Sequence, residues 1–378
     1  MYLQSSENVV DTNPDFPSEN PEEEKRKFAC LFLIIKQFKI YMNKNYDNLE
    51  QLANVKTPDE LLNLLEVSPS SLIAMVENPQ YETFHIPKKA GGYRCIDAPS
   101  EDLKRVQQKL ASHLSYFFIN FQTRSVMGFV PHYKGINNPA GIVENAKRHI
   151  GQPIVLNIDV ADFFPSIKIS SIKKMFMQKP FSFNDELAHL LALLTCYKGK
   201  LPQGAPTSPI LSNFFLLRAD LKIERIMKKR ELNYTRYADD ITLSGFLFPQ
   251  DKLPDIVQEI LTPFGLRLNE KKIRYQTFVG RQEVTGIKVN VKLNLDRRYI
   301  RRIRAILHCW DVKGIEHAAT VFHKRKINNA LEFTSTIRGM IAHVGNVRGK
   351  EDVIFLRFHE KFNSLSIFEE MKVVAMYD

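Results

Sequence analysis

Asn233-Tyr234-Thr235-Arg236-Tyr237-Ala238-Asp239-Asp240-Ile241-Thr242-Leu243-Ser244 holds two short strand-like runs joined at Tyr237-Ala238-Asp239-Asp240. β-Branched and aromatic residues favour a pleated, half-buried surface, so the stretch reads as a hairpin with paired acids at its tip. Such a pair either holds a cation or is a solvated turn, the commoner use of Asp in that place. A second stretch, Leu156-Asn157-Ile158-Asp159-Val160-Ala161-Asp162-Phe163-Phe164, puts Asp159 at the end of an apolar run, where a strand would finish. Phosphoryl transfer to a hydroxyl needs an activated oxygen nucleophile, a stabilised leaving pyrophosphate and neutralised charge between them. Two divalent cations about 3.5–4 Å apart supply all three. Mg²⁺ takes carboxylates together with substrate phosphates and water. Asp159, Asp239 and Asp240 are therefore candidate ligands of two Mg²⁺ ions, for which Mn²⁺ could substitute, and they must converge from distant parts of the chain.

Outward from these two stretches, strand signals recur at Pro153–Asp159, Lys272–Phe278 and Val284–Asn290. Helical spacing recurs at Ile169–Gln178, Asp185–Tyr197, Pro209–Arg230 and Gln250–Phe264. Tyr81–Pro99 reads as a β-hairpin over Gly91-Gly92, followed by an amphipathic helix from Glu101 to Phe121. Thr57 and Pro58 offer an N-cap and a first-turn proline for a helix over Pro58–Leu65, and the next helix spans Ser70–Val76. Phe28, Leu31, Phe32, Ile35, Phe38 and Tyr41 recur at helical spacing over Lys25–Tyr46. Strands interleaved with helices predict an α+β fold. The chain divides into an acidic flexible leader (1–24), an N-terminal helical extension (25–80), a central body (81–290) and a C-terminal region (291–378).

The chain has 378 residues, 44% hydrophobic, enough for a sizeable core. Its net charge is +11, although Glu7, Asp11, Asp15, Glu19, Glu22, Glu23 and Glu24 meet no Lys or Arg within the leader. The remainder is thus still more basic, which suits a polyanionic partner because each neutralised phosphate releases condensed counterions. Charge alone is equally consistent with solubility. Cys30, Cys95, Cys196 and Cys309 lie too far apart for a zinc site or a disulfide framework, which points to a reducing cytoplasm. No apolar run is long enough to span a membrane, and the acidic start is not a secretory signal.

The two acidic stretches resemble motifs A and C of reverse transcriptases. Leu201-Pro202-Gln203-Gly204-Ala205-Pro206-Thr207-Ser208-Pro209 resembles motif B, and Ile86–Pro99 resembles the fingers hairpin. Gly265-Leu266-Arg267-Leu268-Asn269-Glu270-Lys271-Lys272 resembles motif D, with Val284-Thr285-Gly286 where the primer grip follows. The resemblance implies a right-hand polymerase fold: fingers and palm over 81–290, the palm an antiparallel sheet packed on helices, then a helical thumb over 291–378. It implies an RNA-directed DNA polymerase acting on dNTPs. Asp159, Asp239 and Asp240 would hold the metals, assisted by the carbonyl of Val160. Asp162 and Phe163 match positions whose backbone meets the triphosphate, the Asp162 side chain capping the following turn. Phe164 matches the aromatic steric gate that leaves no room for a 2′-hydroxyl; it also reads as a core phenylalanine. Gln203 lies beside the nucleotide sugar and template base. Arg94 and one of Lys88 or Lys89 clamp the triphosphate, unless they are a solvated hairpin tip. Lys272, or second to it Lys271, would protonate the leaving pyrophosphate, unless both are solvated.

Asn145-Ala146-Lys147-Arg148-His149 and Val284-Thr285-Gly286 together are similar to motifs of the bacterial retron reverse transcriptases. By that resemblance Asn145, His149 and Thr285 are candidate contacts to a cognate noncoding RNA of msr-msd type. The family's reaction starts from the 2′-hydroxyl of an internal guanosine and leaves a branched RNA–DNA product, msDNA, usually beside a separate effector protein in anti-phage defence. Arg297, Arg298, Arg301, Arg302 and Arg304 fall in one helical stretch, with 297/301 and 298/302 on shared faces. That surface could follow an RNA–DNA duplex by its phosphates, while Trp310 and Phe322 pack the thumb core. No Cys/His nuclease motif or RNase H-sized addition follows Asn290, so template removal is expected to fall to another enzyme. An abortive-infection or group II intron-like reverse transcriptase, an RNA-dependent RNA polymerase, and a silent RNA-binding homologue are the competing readings.

Overall fold

A computed structural model describes residues 47–88, 91–131, 139–322 and 330–374. The chain forms two units, Met1–Glu50 and Gln51–Asp378. Of the first, only Asp47–Glu50 are described, the opening of a helix Asp47–Asn54. The leader and the helix expected over Lys25–Tyr46 lie outside the described residues, as does Lys89.

The second unit is organised on a four-stranded antiparallel sheet of order β4-β5-β3-β6, with β3 Ile154–Asp159, β4 Asn233–Tyr237, β5 Asp240–Gly245 and β6 Arg274–Thr277. Ile154 pairs with Gly245 on one side and Thr277 on the other, while Asp159 pairs with Asp240 at the opposite end. The helix Ser208–Lys229 lies in the core beside this sheet, with Ile210, Leu211, Phe214 and Leu216 among its buried residues. Phe117 and Phe118 from helix Glu101–Phe118 meet Phe214, and Phe117 also meets Phe181, at ring separations of 5.0–6.0 Å; Phe181 in turn lies 4.7 Å from Phe214 and 5.0 Å from Phe176. Aromatic pairs at this spacing each add about 0.5–1.5 kcal/mol beyond their buried area.

Thr57 caps the helix Pro58–Leu65 by accepting from the Glu60 amide at 3.3 Å, with Pro58 in the first turn. This helix and its successor Pro69–Glu77 bury Leu61, Leu62, Leu65 and Leu72 in the same core as the sheet. The part of the N-terminal extension from Gln51 onward is therefore packed into the body rather than appended to it. The hairpin of β1 Tyr81–Pro87 and β2 Tyr93–Pro99 is rooted by a Tyr81–Tyr197 stack at 4.2 Å and stands exposed towards its tip, where Ile86 and Tyr93 meet solvent.

Three expected elements differ. The helix from Glu101 stops at Phe118 rather than Phe121. Gln250–Phe264 is broken: only Leu253–Leu261 is α-helical, because Lys252 adopts left-handed backbone and Pro263 follows. Val284–Asn290 is not one strand but a tight hairpin, β7 Glu283–Val284 and β8 Ile287–Lys288, turned by Thr285 and Gly286 at φ 46° and 81°. Consecutive positive φ values define the turn that suits two antiparallel strands. A second core joins β7 and β8 to the C-terminal helices Arg297–Lys313, Ile315–Phe322, Ala330–Arg348 and Val353–Val374. Trp310 is buried at its centre, at 6.0 Å from Phe333 and 5.8 Å from Phe362, and Phe322 packs against it partly buried.

Candidate active site

The sheet register brings the three acids together. Asp159 ends β3 directly opposite Asp240, the first residue of β5. The Val160 amide donates to the Asp239 carbonyl at 3.0 Å, drawing the hairpin tip against the end of β3. The following loop closes the third side, for the Asn269 amide donates to the Asp159 carbonyl at 2.8 Å. Lys272 then reaches across to the Asp159 carboxylate, its Nζ 2.9 and 3.0 Å from the two oxygens. This bond raises the Lys272 pKa and keeps the ammonium charged.

One ammonium does not balance three carboxylates. Burial first, then the charges of Asp239 and Asp159, push the Asp240 carboxyl up to about 6, although its surface still meets solvent. Asp239 is raised too, by burial and by Asp159. Arg94 on β2 is close enough for its charge to oppose that rise, so the fingers hairpin faces the acids. Among the described residues no group of three or more His, Cys, Asp or Glu side chains forms a finished metal cage. The under-neutralised oxygens nevertheless fit hard divalent cations, which draw further ligands from phosphates and water.

The surrounding candidates fall into three sets. Gln203 lies next to the hairpin: its carbonyl accepts from the Asp97 amide at 2.9 Å, and Gly204, at φ 139°, approaches so closely that a Cβ would come 2.6 Å from the Asp97 carbonyl. Only glycine allows that approach. Phe164 is half-buried, 5.2 Å from Phe163 and 6.1 Å from Phe129, whereas the Phe163 ring is in the core. Lys88 is exposed at the end of β1, its backbone closing the hairpin turn with Gly92.

A second set corrects the sequence reading. The Asp162 side chain makes no cap; its carbonyl accepts from the Ser166 amide at 2.9 Å while the residue sits at φ 42°, exposed. Asn145 and His149 are fully buried, so neither side chain meets RNA here. His149 Nδ1 lies 2.7 Å from Ser244 Oγ and Nε2 lies 2.7 Å from Thr235 Oγ1, tying β5 to β4. The Thr285 hydroxyl donates to the Ile142 carbonyl at 3.1 Å, fixing the β7–β8 turn to the helix Ile142–Lys147 that carries Asn145. That short helix carries no sequence signal, since six residues show too little periodicity. The two motifs thus meet in space, at the join between the sheet and the C-terminal helices.

The third set is the basic helix. Arg297, Arg298, Arg301, Arg302 and Arg304 are exposed on Arg297–Lys313, while Ile300, Ile303, Ile306 and Leu307 face the core. Asn269, within the segment that resembles motif D, positions the site by its backbone bond to Asp159, a role that no residue-type pattern announces.

An antiparallel four-stranded sheet on helices, with carboxylates gathered at one end and a hairpin facing them, is a polymerase palm with its fingers. A family model described as reverse transcriptase (RNA-dependent DNA polymerase) matches residues 86–291, more than half of the chain. The retron Ec86 reverse transcriptase of Escherichia coli is 31% identical over 260 residues, covering 67% of this chain and 78% of that protein. The retron Mx65 reverse transcriptase of Myxococcus xanthus is 33% identical over 248 residues, 60% of this chain and 55% of its own. The chain thus spans only about half the length of the Myxococcus relative. Among solved structures, telomerase from Candida albicans with a fragment of telomeric RNA aligns with a TM-score of 0.43 at 10% identity, over 79% of this chain and 64% of that one. The chain belongs to the reverse transcriptase family, on its bacterial retron branch. Reverse transcriptases generally use divalent metal ions. No helix among the described residues is long and apolar enough to cross a membrane.

Proposed function

We propose that this protein copies part of a cognate folded noncoding RNA of msr-msd type into DNA, starting from the 2′-hydroxyl of an internal guanosine and leaving branched msDNA. The observation that carries the polymerase reading is the register that sets Asp159 opposite Asp240 and draws Asp239 beside them. Asp159, Asp239, Asp240 and the Val160 carbonyl would hold two Mg²⁺ ions, or Mn²⁺ in their place, which activate the attacking hydroxyl and neutralise the leaving pyrophosphate.

The chain's own groups do the rest. Arg94 and Lys88 present donors suited to a dNTP triphosphate. The backbone around Asp162 and Phe163 and the segment at Gln203 line the nucleotide's place. Phe164 leaves no room for a 2′-hydroxyl and selects dNTP over NTP. Lys272 gives its proton to the departing pyrophosphate, a role supported by its bond to Asp159, which keeps it protonated until then. Arg297, Arg298, Arg301 and Arg302 follow the phosphates of the RNA–DNA duplex without reading sequence. A separate effector protein and a cytoplasmic, anti-phage setting complete the proposal; they rest on the motif resemblance alone.

Purifying the protein and sequencing its bound nucleic acid tests the product: a branched RNA–DNA hybrid is expected, and linear protein-primed DNA would overturn it. For the chemistry, an Asp239→Ala/Asp240→Ala variant should stay folded and lose metal-dependent dNTP incorporation by more than about a thousandfold. Full incorporation by that variant would refute the assignment.

A further inference from the structure

Arg236 lies on β4, three positions before Asp239, and is 1% exposed. Its guanidinium is engaged on every side. Nε and Nη2 fork onto the Asp220 carboxylate at 2.7 and 2.6 Å, and Nη2 also donates to Asn213 Oδ1 at 3.2 Å. Nη1 donates to the carbonyl of Ala238 at 3.0 Å. Asp220, itself buried, accepts a further bond from the Tyr234 hydroxyl at 2.6 Å. Asn213 turns its amide nitrogen to the carbonyls of Gly128 and Phe129, at 3.0 and 3.3 Å. Gly128 lies flat beneath the acidic turn: a Cβ there would stand 2.5 Å from the Ala238 nitrogen.

Ala238 sits at φ 58°, in the left-handed region that L side chains rarely adopt. Its carbonyl belongs to the peptide that carries the Asp239 amide. Holding that carbonyl therefore fixes the plane from which Asp239 and Asp240 project. A buried ion pair is poor evidence for stability, because apolar residues of similar volume often serve as well. An apolar pair could not donate to the Ala238 carbonyl.

We infer that Arg236 is a positioning residue of the polymerase reaction: oriented by Asp220, it holds the Tyr237–Asp240 turn by the Ala238 carbonyl and so sets the aim of the catalytic acids. This rests on the reading of Asp239 and Asp240 as the metal-holding carboxylates. The signal in the sequence is an arginine within a strand whose neighbours Tyr234, Thr235, Ile241 and Leu243 are all core residues.

The test replaces the whole ion pair, Asp220→Leu/Tyr234→Phe/Arg236→Met, the tyrosine change removing a hydroxyl that would be stranded. The variant is expected to melt within about 4 °C of the parent. Its kcat for dNTP incorporation on a primed RNA template should fall about ten- to a hundredfold, with KM for dNTP and affinity for template within about twofold. Parent-level kcat in the folded variant overturns the inference, as does a loss confined to KM. Should the triple variant fail to fold, Arg236→Lys decides: it keeps the charge beside Asp220 but cannot fork to Asp220 and Ala238 together. The same kcat loss is expected there, and unchanged kcat overturns the inference. Asp239→Asn, assayed alongside, separates the two readings, because activity surviving that change would sink the acid assignment itself.

Discussion

The β4–β5 hairpin carries two polar regions that settle their charges in opposite ways. In its body, the hydroxyls of Thr235 and Ser244 bond the two ring nitrogens of His149, one accepting and one donating, and no polar atom of that trio is left without a partner. At its tip, Asp239 and Asp240 crowd against Asp159 with one lysine among them. The body is closed and neutral; the tip is open and over-charged. A satisfied polar core is rigid, and that rigidity is what allows like charges to be held together a few residues away. The same strands thus serve as scaffold at one end and as a reactive edge at the other.

The largest effect should come from breaking the closed end. His149→Ala leaves a cavity and strands two buried hydroxyls, so stability should fall by about 3 kcal/mol, read from urea unfolding. Affinity for the cognate RNA, measured where the variant remains folded, should change by no more than about twofold. A larger loss of affinity would show that His149 meets RNA and that this end is not purely scaffold.

Protonation probes the same contrast without mutation. Burial first, and then the Arg148 charge, lower the His149 pKa to about 3. An unfolded histidine takes up its proton near pH 6.5. The folded pKa is the lower one, so this group's stability contribution is complete above about 6.5 and drains away as pH falls towards 3. The loss should reach about 2 kcal/mol at pH 5 relative to pH 7.5. His149→Gln should lack that extra loss in paired urea titrations; an equal loss in parent and variant would remove His149 as its source.

How much of this was legible follows the same division. The acidic tip showed in the sequence because strand alternation and turn chemistry are local, and Asp239-Asp240 falls where both change. Asp159 was legible for the same reason, at the end of its apolar run. The closed end was not. His149 finds its partners 86 and 95 positions away, and nothing near it in sequence distinguishes a buried histidine from an exposed one. The β7–β8 turn is masked in the sequence because Thr285 is β-branched and a residue of that kind rarely takes positive φ; Gly286 is the one local signal of the turn. The lysine on Asp159 was legible as a candidate acid, yet its resting place depended on the path of the loop through Asn269. Pattern reports neighbours along a strand; it is silent on which distant side chain closes a hydrogen bond.

Relieving the open end should give the smallest effect, and one of opposite sign. The Asp240 carboxyl is pushed up to about 6 against an ordinary value near 3.8, so folding penalises its charged form. That penalty is absent below about pH 4, grows as pH rises to about 6 and is constant above. Asp240→Asn removes the charge and keeps the shape. Because Asp240 still meets solvent, which screens much of the repulsion, the gain should be about 1 kcal/mol at pH 7.5 in metal-free protein. Added divalent cation should narrow or reverse the difference, since it stabilises the parent by binding its folded state. If the parent proves as stable as the asparagine variant without metal, the tip is not over-charged. The two ends of the hairpin would then differ in geometry alone.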